Sequence, residues 1–170
     1  MDMKALTKIQ YGIYVISSID DEKMAAQLAN SVFQITAEPV RFAVSIAKQN
    51  FTCEIIKKSG KFAITALSEE TPFDFMGRMG FKSGRTTNKF VNATFTGSDT
   101  LKIPVFIDYA TAIYEAEVEN KIDVETHILF IGKIIDMKIM DSSQNTMTYD
   151  YYQKIKGGLT SKNAPTFIKK

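Results

Sequence analysis

The segment Ser45-Ile46-Ala47-Lys48-Gln49-Asn50-Phe51-Thr52 passes from a short apolar strand into a helix start. It echoes an earlier segment, Ala29-Asn30-Ser31-Val32-Phe33-Gln34. Each is a strand end that turns from apolar to small and polar residues. Between them lies Ile35-Thr36-Ala37-Glu38-Pro39-Val40, a connection punctuated by proline. Side by side, two such strand ends would present amide and hydroxyl groups that grip a polar ligand.

Outward from this pair the chain reads mainly as strands. Tyr11 to Ile19 is rich in β-branched and aromatic residues, and Asp20 to Lys23 is a polar turn. Met24 to Gln34 is expected to return as one strand, and Arg41 to Ile46 is a short buried one. Asn50 is expected to cap a helix over Phe51 to Ser59, with Gly60 at its C-terminal stop. Lys61 to Leu67 reads as a strand. Thr71 caps a second helix, with Pro72 in the first position and a stop at Gly80. Phe81 to Phe90 is a basic loop. A short strand near Ala93 to Thr96 precedes two long ones, Phe106 to Asn120 and Thr126 to Met140, joined by a turn at Lys121 to Glu125. In the first long strand Ala110, Ala112, Tyr114, Ala116 and Val118 share one face and Glu115, Glu117 and Glu119 the other. A short helix over Tyr149 to Ile155 leads to an extended tail over about 156–170. Six or more mostly antiparallel strands of these lengths close into a small barrel or pack as an open α+β sandwich.

Bulk properties exclude several function classes. The 170 residues, 45% hydrophobic and 24% charged, suit one globular domain over 1–170. A formal charge of +2 gives no nucleic-acid footprint. Cys53 and His127 are each the only residue of their kind, too few for a disulfide framework or an all-protein zinc site, so no metal is expected. No apolar run reaches the length of a membrane span, and Met1 to Gln10 lacks the apolar core of a signal peptide. The expectation is a cytoplasmic protein.

Two segments carry the chemistry of a site. In Ser45 to Thr52 a helix N-terminus offers free N–H groups and a positive dipole end to a phosphate, with Lys48 adding charge. The same residues also suit a well-capped helix and nothing more. The Phe81 to Phe90 loop offers Lys82, Arg85 and Lys89, and Gly84 allows a tight turn. Its plainer reading is a basic surface loop. A lone histidine such as His127 is more often packed than catalytic, and Cys53 reads as a structural thiol.

In order and spacing these segments resemble the flavin reductase-like, FMN-binding split-barrel family, which includes flavoredoxins and the flavoprotein half of high-molecular-weight rubredoxins. The resemblance rests on A-N-S-V-F-Q, Glu38-Pro39, S-I-A-K-Q-N-F-T, G-F-K-S-G-R-x-x-x-K-F and T-H-I-L-F-I-G-K-I, and it runs from Met1 to about Phe167. It implies a mainly β fold, a six-stranded antiparallel Greek-key split barrel that forms a homodimer and binds FMN non-covalently near the interface. It further implies FMN contacts from Asn30, Ser31, Val32, Ser45, Ile46, Ala47, Lys48, Asn50 and Thr52, and from Ser83, Gly84, Arg85 and Lys89. His127 would meet the nicotinamide, and no side chain need act as a catalytic acid or base. Many reductases of the family carry Gly-Asp before that histidine, whereas Glu125-Thr126 stand here, which leaves NADH or NADPH preference open. A rubredoxin needs four cysteines for its iron, so electrons would leave to a separate rubredoxin or other redox protein. The implied activity is NAD(P)H-dependent reduction of flavin, ferric iron or a redox protein. The alternatives are an electron-transfer flavoprotein reduced by a protein partner and, lower, a non-flavin barrel acting as a binding module.

Overall fold

The computed structural model describes residues 1–168; Lys169 and Lys170, the last residues of the expected tail, lie outside the described residues. A 3-10 turn over Met3–Lys8 precedes nine strands and three helices. The strands are β1 (Tyr14–Asp20), β2 (Lys23–Ala29), β3 (Val32–Ala37), β4 (Val40–Ala47), β5 (Lys61–Leu67), β6 (Phe95–Gly97), β7 (Pro104–Phe106), β8 (Ala110–Val124) and β9 (His127–Ile139). The helices are α1 (Phe51–Ser59), α2 (Phe73–Phe81) and α3 (Tyr149–Lys154).

Seven strands form one antiparallel sheet in the order β2-β1-β5-β8-β9-β4-β3, and β6 pairs with β7. The sheet has to curl. Its two edge strands, β2 and β3, are joined by Asn30-Ser31 alone. Such a link reaches about 11 Å at full stretch. Opposite edges of a flat sheet of this width would lie about 29 Å apart, at about 4.8 Å per strand. The core agrees: Ile16 of β1, Val44 and Ile46 of β4, Phe62 and Ile64 of β5 and Phe130 of β9 meet in one buried cluster. Helix α1 packs on β1, β2 and β4, so it fills the gap left between the sheet edges. It adds Cys53 and Ile56 to the cluster. A second cluster, including Leu67, Phe75, Met79, Phe106 and Tyr152, fixes α2 and α3 to the outside of the barrel.

The expected mainly β barrel is therefore present, with seven strands in its sheet rather than six. The strand expected over Met24 to Gln34 breaks at Asn30-Ser31, because the chain crosses there from one sheet edge to the other. The strand expected from Phe106 also divides: Tyr109 takes a left-handed φ of 63° and separates β7 from β8. Strand β8 runs on to Val124, so the turn to β9 is only Glu125-Thr126. Thr71 does not cap α2; its hydroxyl donates to Ser68 O at 2.7 Å, and the helix continues through Gly80 to Phe81. The tail is not simply extended. It turns at 162–163 and 165–166 and folds back over the barrel end. No helix among the described residues is long and apolar enough to cross a membrane.

Candidate functional site

One cleft of about 700 Å³ opens where the two quoted segments converge. Its walls are the end of β2 with Asn30, the end of β4 with Ser45 and Ala47, the head of α1 from Gln49 to Thr52, and the end of α2 with Ser83 and Gly84. Lys89 and the tail from Leu159 to Pro165 complete it. That volume lies in the usual range for small-molecule sites.

The head of α1 is left bare. Asn50 has the extended backbone of a cap residue, φ −74° and ψ 139°, yet its side chain makes no cap hydrogen bond. Its Nδ2 donates instead to Gln27 Oε1 on β2 at 3.0 Å, and its Oδ1 accepts from Asn163 Nδ2 at 3.3 Å. Among the described residues, Phe51 N and Thr52 N find no acceptor. Unfilled donors at a helix head, together with the macrodipole, make an anion site. At the other end Gly60 takes the left-handed φ of 68° and returns its N–H to Ile56 O, as the sequence predicts.

The 81–90 loop is a second wall, held by Thr87 N donating to Ser83 O at 2.9 Å. A Cβ at Gly84 would come within 3.0 Å of the Phe51 ring, so the absent side chain lets the loop lie on the head of α1. Arg85 lies over the same ring at 5.3 Å and pairs with Glu54 at 2.6 Å. The Arg85 guanidinium, and after it the Lys58 ammonium, holds the Glu54 carboxyl below the usual carboxylate range.

Lys89 is the unusual member. It is only 5% exposed, and its Nζ donates to Met79 O at 2.8 Å. Among the described residues it pairs with no carboxylate. Burial drives its ammonium down to about 8. An ammonium in this setting is costly unless an anion joins it. Lys89 lines the same cleft as the bare amides of α1, and together they suit an anionic group.

Of the residues singled out from the sequence, the cleft brings together Asn30, Ser45, Ala47, Asn50, Thr52, Lys82, Ser83, Gly84 and Lys89. The others stand apart from its lining. Val32 and Ile46 are buried in the barrel core. Ser31 donates to Asn30 Oδ1 beside the cleft. Lys48 turns outward to Asp123, at 2.6 Å. Arg85 is held by Glu54, and His127 accepts or donates between Thr126 Oγ1 at 2.8 Å and Asn163 O at 3.2 Å. Cys53 is fully buried, and that burial pushes its thiol up, outweighing Lys57 and Lys48.

Sequence reasoning missed the tail as a wall, and with it Met79 and Gly80 at the end of α2. Tyr149 and Tyr152 line the cleft and carry the tail above them. Tyr149 OH pairs with Thr160 Oγ1, and Tyr152 OH donates to Leu159 O at 2.9 Å. The run Thr160-Ser161-Lys162-Asn163 is rich in small polar groups, the one local sign of such a role.

A family model for the flavin reductase like domain matches residues 6–157. The chain is 41% identical over 167 residues to a high molecular weight rubredoxin from Moorella thermoacetica, covering 98% of this chain and 72% of that protein. It is 36% identical over 168 residues to a ferric-chelate reductase (NAD(P)H) from Archaeoglobus fulgidus, covering 99% of this chain and 98% of that one. Among solved structures it resembles a flavoredoxin from Methanosarcina acetivorans, with a TM-score of 0.70 and 20% identity over 76% of this chain and 69% of the other. That last likeness concerns the fold.

Proposed function

The chain belongs to the flavin reductase-like domain family, and from that footing we propose that it is an FMN-dependent oxidoreductase that takes hydride from NAD(P)H and passes electrons to flavin, ferric iron or a separate redox protein. The observation that carries the proposal is Lys89, a buried ammonium that shares one cleft with the uncapped head of α1. When bound, an isoalloxazine supplies hydride acceptance and single-electron release, which no protein side chain does.

The chain's own residues bind, orient and exclude water. The amides of Phe51 and Thr52, the Thr52 hydroxyl and Lys89 would hold the phosphate, with Ser83 and Gly84 closing over it. Asn30, Ser31 and Ser45 would present hydrogen-bonding groups to the ring, and the backbone of Val32, Ile46 and Ala47 would set its depth. Lys48 and Arg85 would contribute positive potential from the rim despite their carboxylate partners. His127 takes the nicotinamide contact implied by the resemblance. No general acid or base is required of these residues. Exposed Phe33 and Ile35 on β3, an edge strand, with Val124 on β8 and Met137 on β9, support a homodimer.

The experiment is an anaerobic titration of the FMN-loaded protein with NADH and with NADPH. Rapid bleaching of the visible band by either supports the reductase. Colour that resists both favours the second reading, an electron carrier reduced by a protein partner. That reading draws on the relative named as a rubredoxin, of which this chain spans 72%. Failure to bind FMN overturns both.

A further inference from the structure

A small set of hydrogen bonds joins the tail to the site it covers. Asn163 is the centre: its Nδ2 donates to Asn50 at 3.3 Å, its Oδ1 accepts from Gln49 Nε2 at 2.6 Å, and its carbonyl meets His127 Nε2 at 3.2 Å. A second tie runs from Asn30 Nδ2 to Thr166 Oγ1, at 2.8 Å. Past Tyr152, which is 2% exposed, no described residue is buried. A segment without core side chains opens at a much lower free energy than the barrel unfolds. The point of departure is marked too: Gly157 has a left-handed φ of 64°, and Gly158 lies so close to the Tyr152 ring that a Cβ would overlap it.

The tail lines the cleft without filling it. About 700 Å³ lies between Leu159 to Pro165 and the barrel with the ties made, in a cleft that stays partly open to solvent. A ligand seated there has the tail as one wall, held in place by Asn163 and Thr166.

We propose that residues 158–168 form a hinged lid that retains the flavin, pivoting at Gly157-Gly158 and latched by Asn163 and Thr166, so that FMN is a resident prosthetic group and not a diffusing substrate. The proposal rests on the flavin reading of the cleft. It predicts slow release of FMN that the latch controls.

The test is the rate of FMN release, followed as recovery of free-flavin fluorescence after dilution of the loaded full-length protein. It is repeated with Asn163→Ala, with Asn163→Ala/Thr166→Val, and with a chain ending at Gly157. Release about tenfold faster in the single variant, and faster again in the other two, is expected from the loss of its hydrogen bonds. The double variant keeps the test decisive if the shortened chain fails to fold. Equal release rates in all folded forms overturn the lid while leaving the flavin site standing. Tighter binding in the variants also overturns it, by showing that the tail competes with the flavin. A full-length protein that takes up no FMN refutes the flavin reading itself, and the lid with it.

Discussion

Asn50 Nδ2 donates to Gln27 Oε1 at 3.0 Å, so the residue at the head of α1 reaches across to β2 instead of turning back to cap its own helix. The helix gives up a cap, and the cleft gains a bare N-terminus. Asn50→Asp separates the two roles. A carboxylate can cap the free amides and suits the helix dipole, adding about 0.5–1 kcal/mol. The same charge repels a phosphate at that spot. The expected outcome is a melting temperature equal to or above that of the wild type, with FMN affinity reduced about tenfold or more. Thermal melts and fluorescence titration measure the two. Unchanged affinity would move the anion away from α1.

Glu54 holds Arg85 on one side and Lys58 on the other, at the surface beside the same helix head. Its carboxyl is held down by these partners, so the pair's contribution is present above the ordinary carboxylate range and fades as the pH falls through the depressed value. Glu54→Gln releases both cations. Exposed pairs contribute little, so stability should barely change. The freed charge raises the potential over the cleft, and FMN affinity should rise about two- to fivefold at low salt. At 1 M salt, where the Debye length is about 3 Å, the gain should vanish. A gain that survives high salt would contradict this electrostatic account.

What was legible in the sequence was local. Helix α1 was readable because Asn50, the basic last turn and Gly60 punctuate it within a few residues. The break between β2 and β3 was not, since neither glycine nor proline interrupts Met24 to Gln34; the crossing is imposed by closure of the sheet. Glu115 shows the same limit. Alternation puts it on the polar face with Glu117, yet it is 3% exposed and accepts from Ser98 Oγ, Thr100 N and Leu101 N, because the 98–101 segment folds over that face. Lys89 reads as one of three loop cations, and only the fold buries it beneath the Met79 carbonyl. The tail has no periodicity at all. Its position is set by amide partners more than a hundred residues away, such as Asn50 for Asn163.

Gly132 on β9 gives a prediction about the barrel itself. A Cβ there would sit 2.7 Å from Phe62 Cε1 and 2.9 Å from the Ala116 Cβ. Both neighbours are fully buried, so neither has room to retreat. Gly132→Ala should cost about 1–3 kcal/mol through overpacking, read as a lower urea midpoint at unchanged slope. Adding Phe62→Leu should recover part of that loss. If Gly132→Ala alone leaves the midpoint unmoved, β9 does not approach Phe62 this closely.

Lys89 ties stability to binding with opposite signs. Its ammonium is moved from an ordinary 10.5 down to about 8 by burial. Between those values the unfolded chain binds a proton that the folded chain has released, so stability rises with pH across the window. The full rise is about 3 kcal/mol, because each tenfold change in proton affinity is worth about 1.36 kcal/mol, and below about 8 the burial cost is complete. Lys89→Met removes the buried charge. The flavin-free variant should be more stable at neutral pH by about 1 kcal/mol or more, even with the Met79 carbonyl losing its donor. Its stability should no longer climb through this window. Binding should move the other way. A phosphate favours the charged ammonium, so wild-type affinity for FMN should fall as the pH is raised through about 8. Lys89→Met should bind weakly at every pH and show no such fall. Urea denaturation and FMN titration across the pH range read both halves. A variant that gains stability yet binds FMN as tightly as the wild type would show that this charge answers to something other than the phosphate.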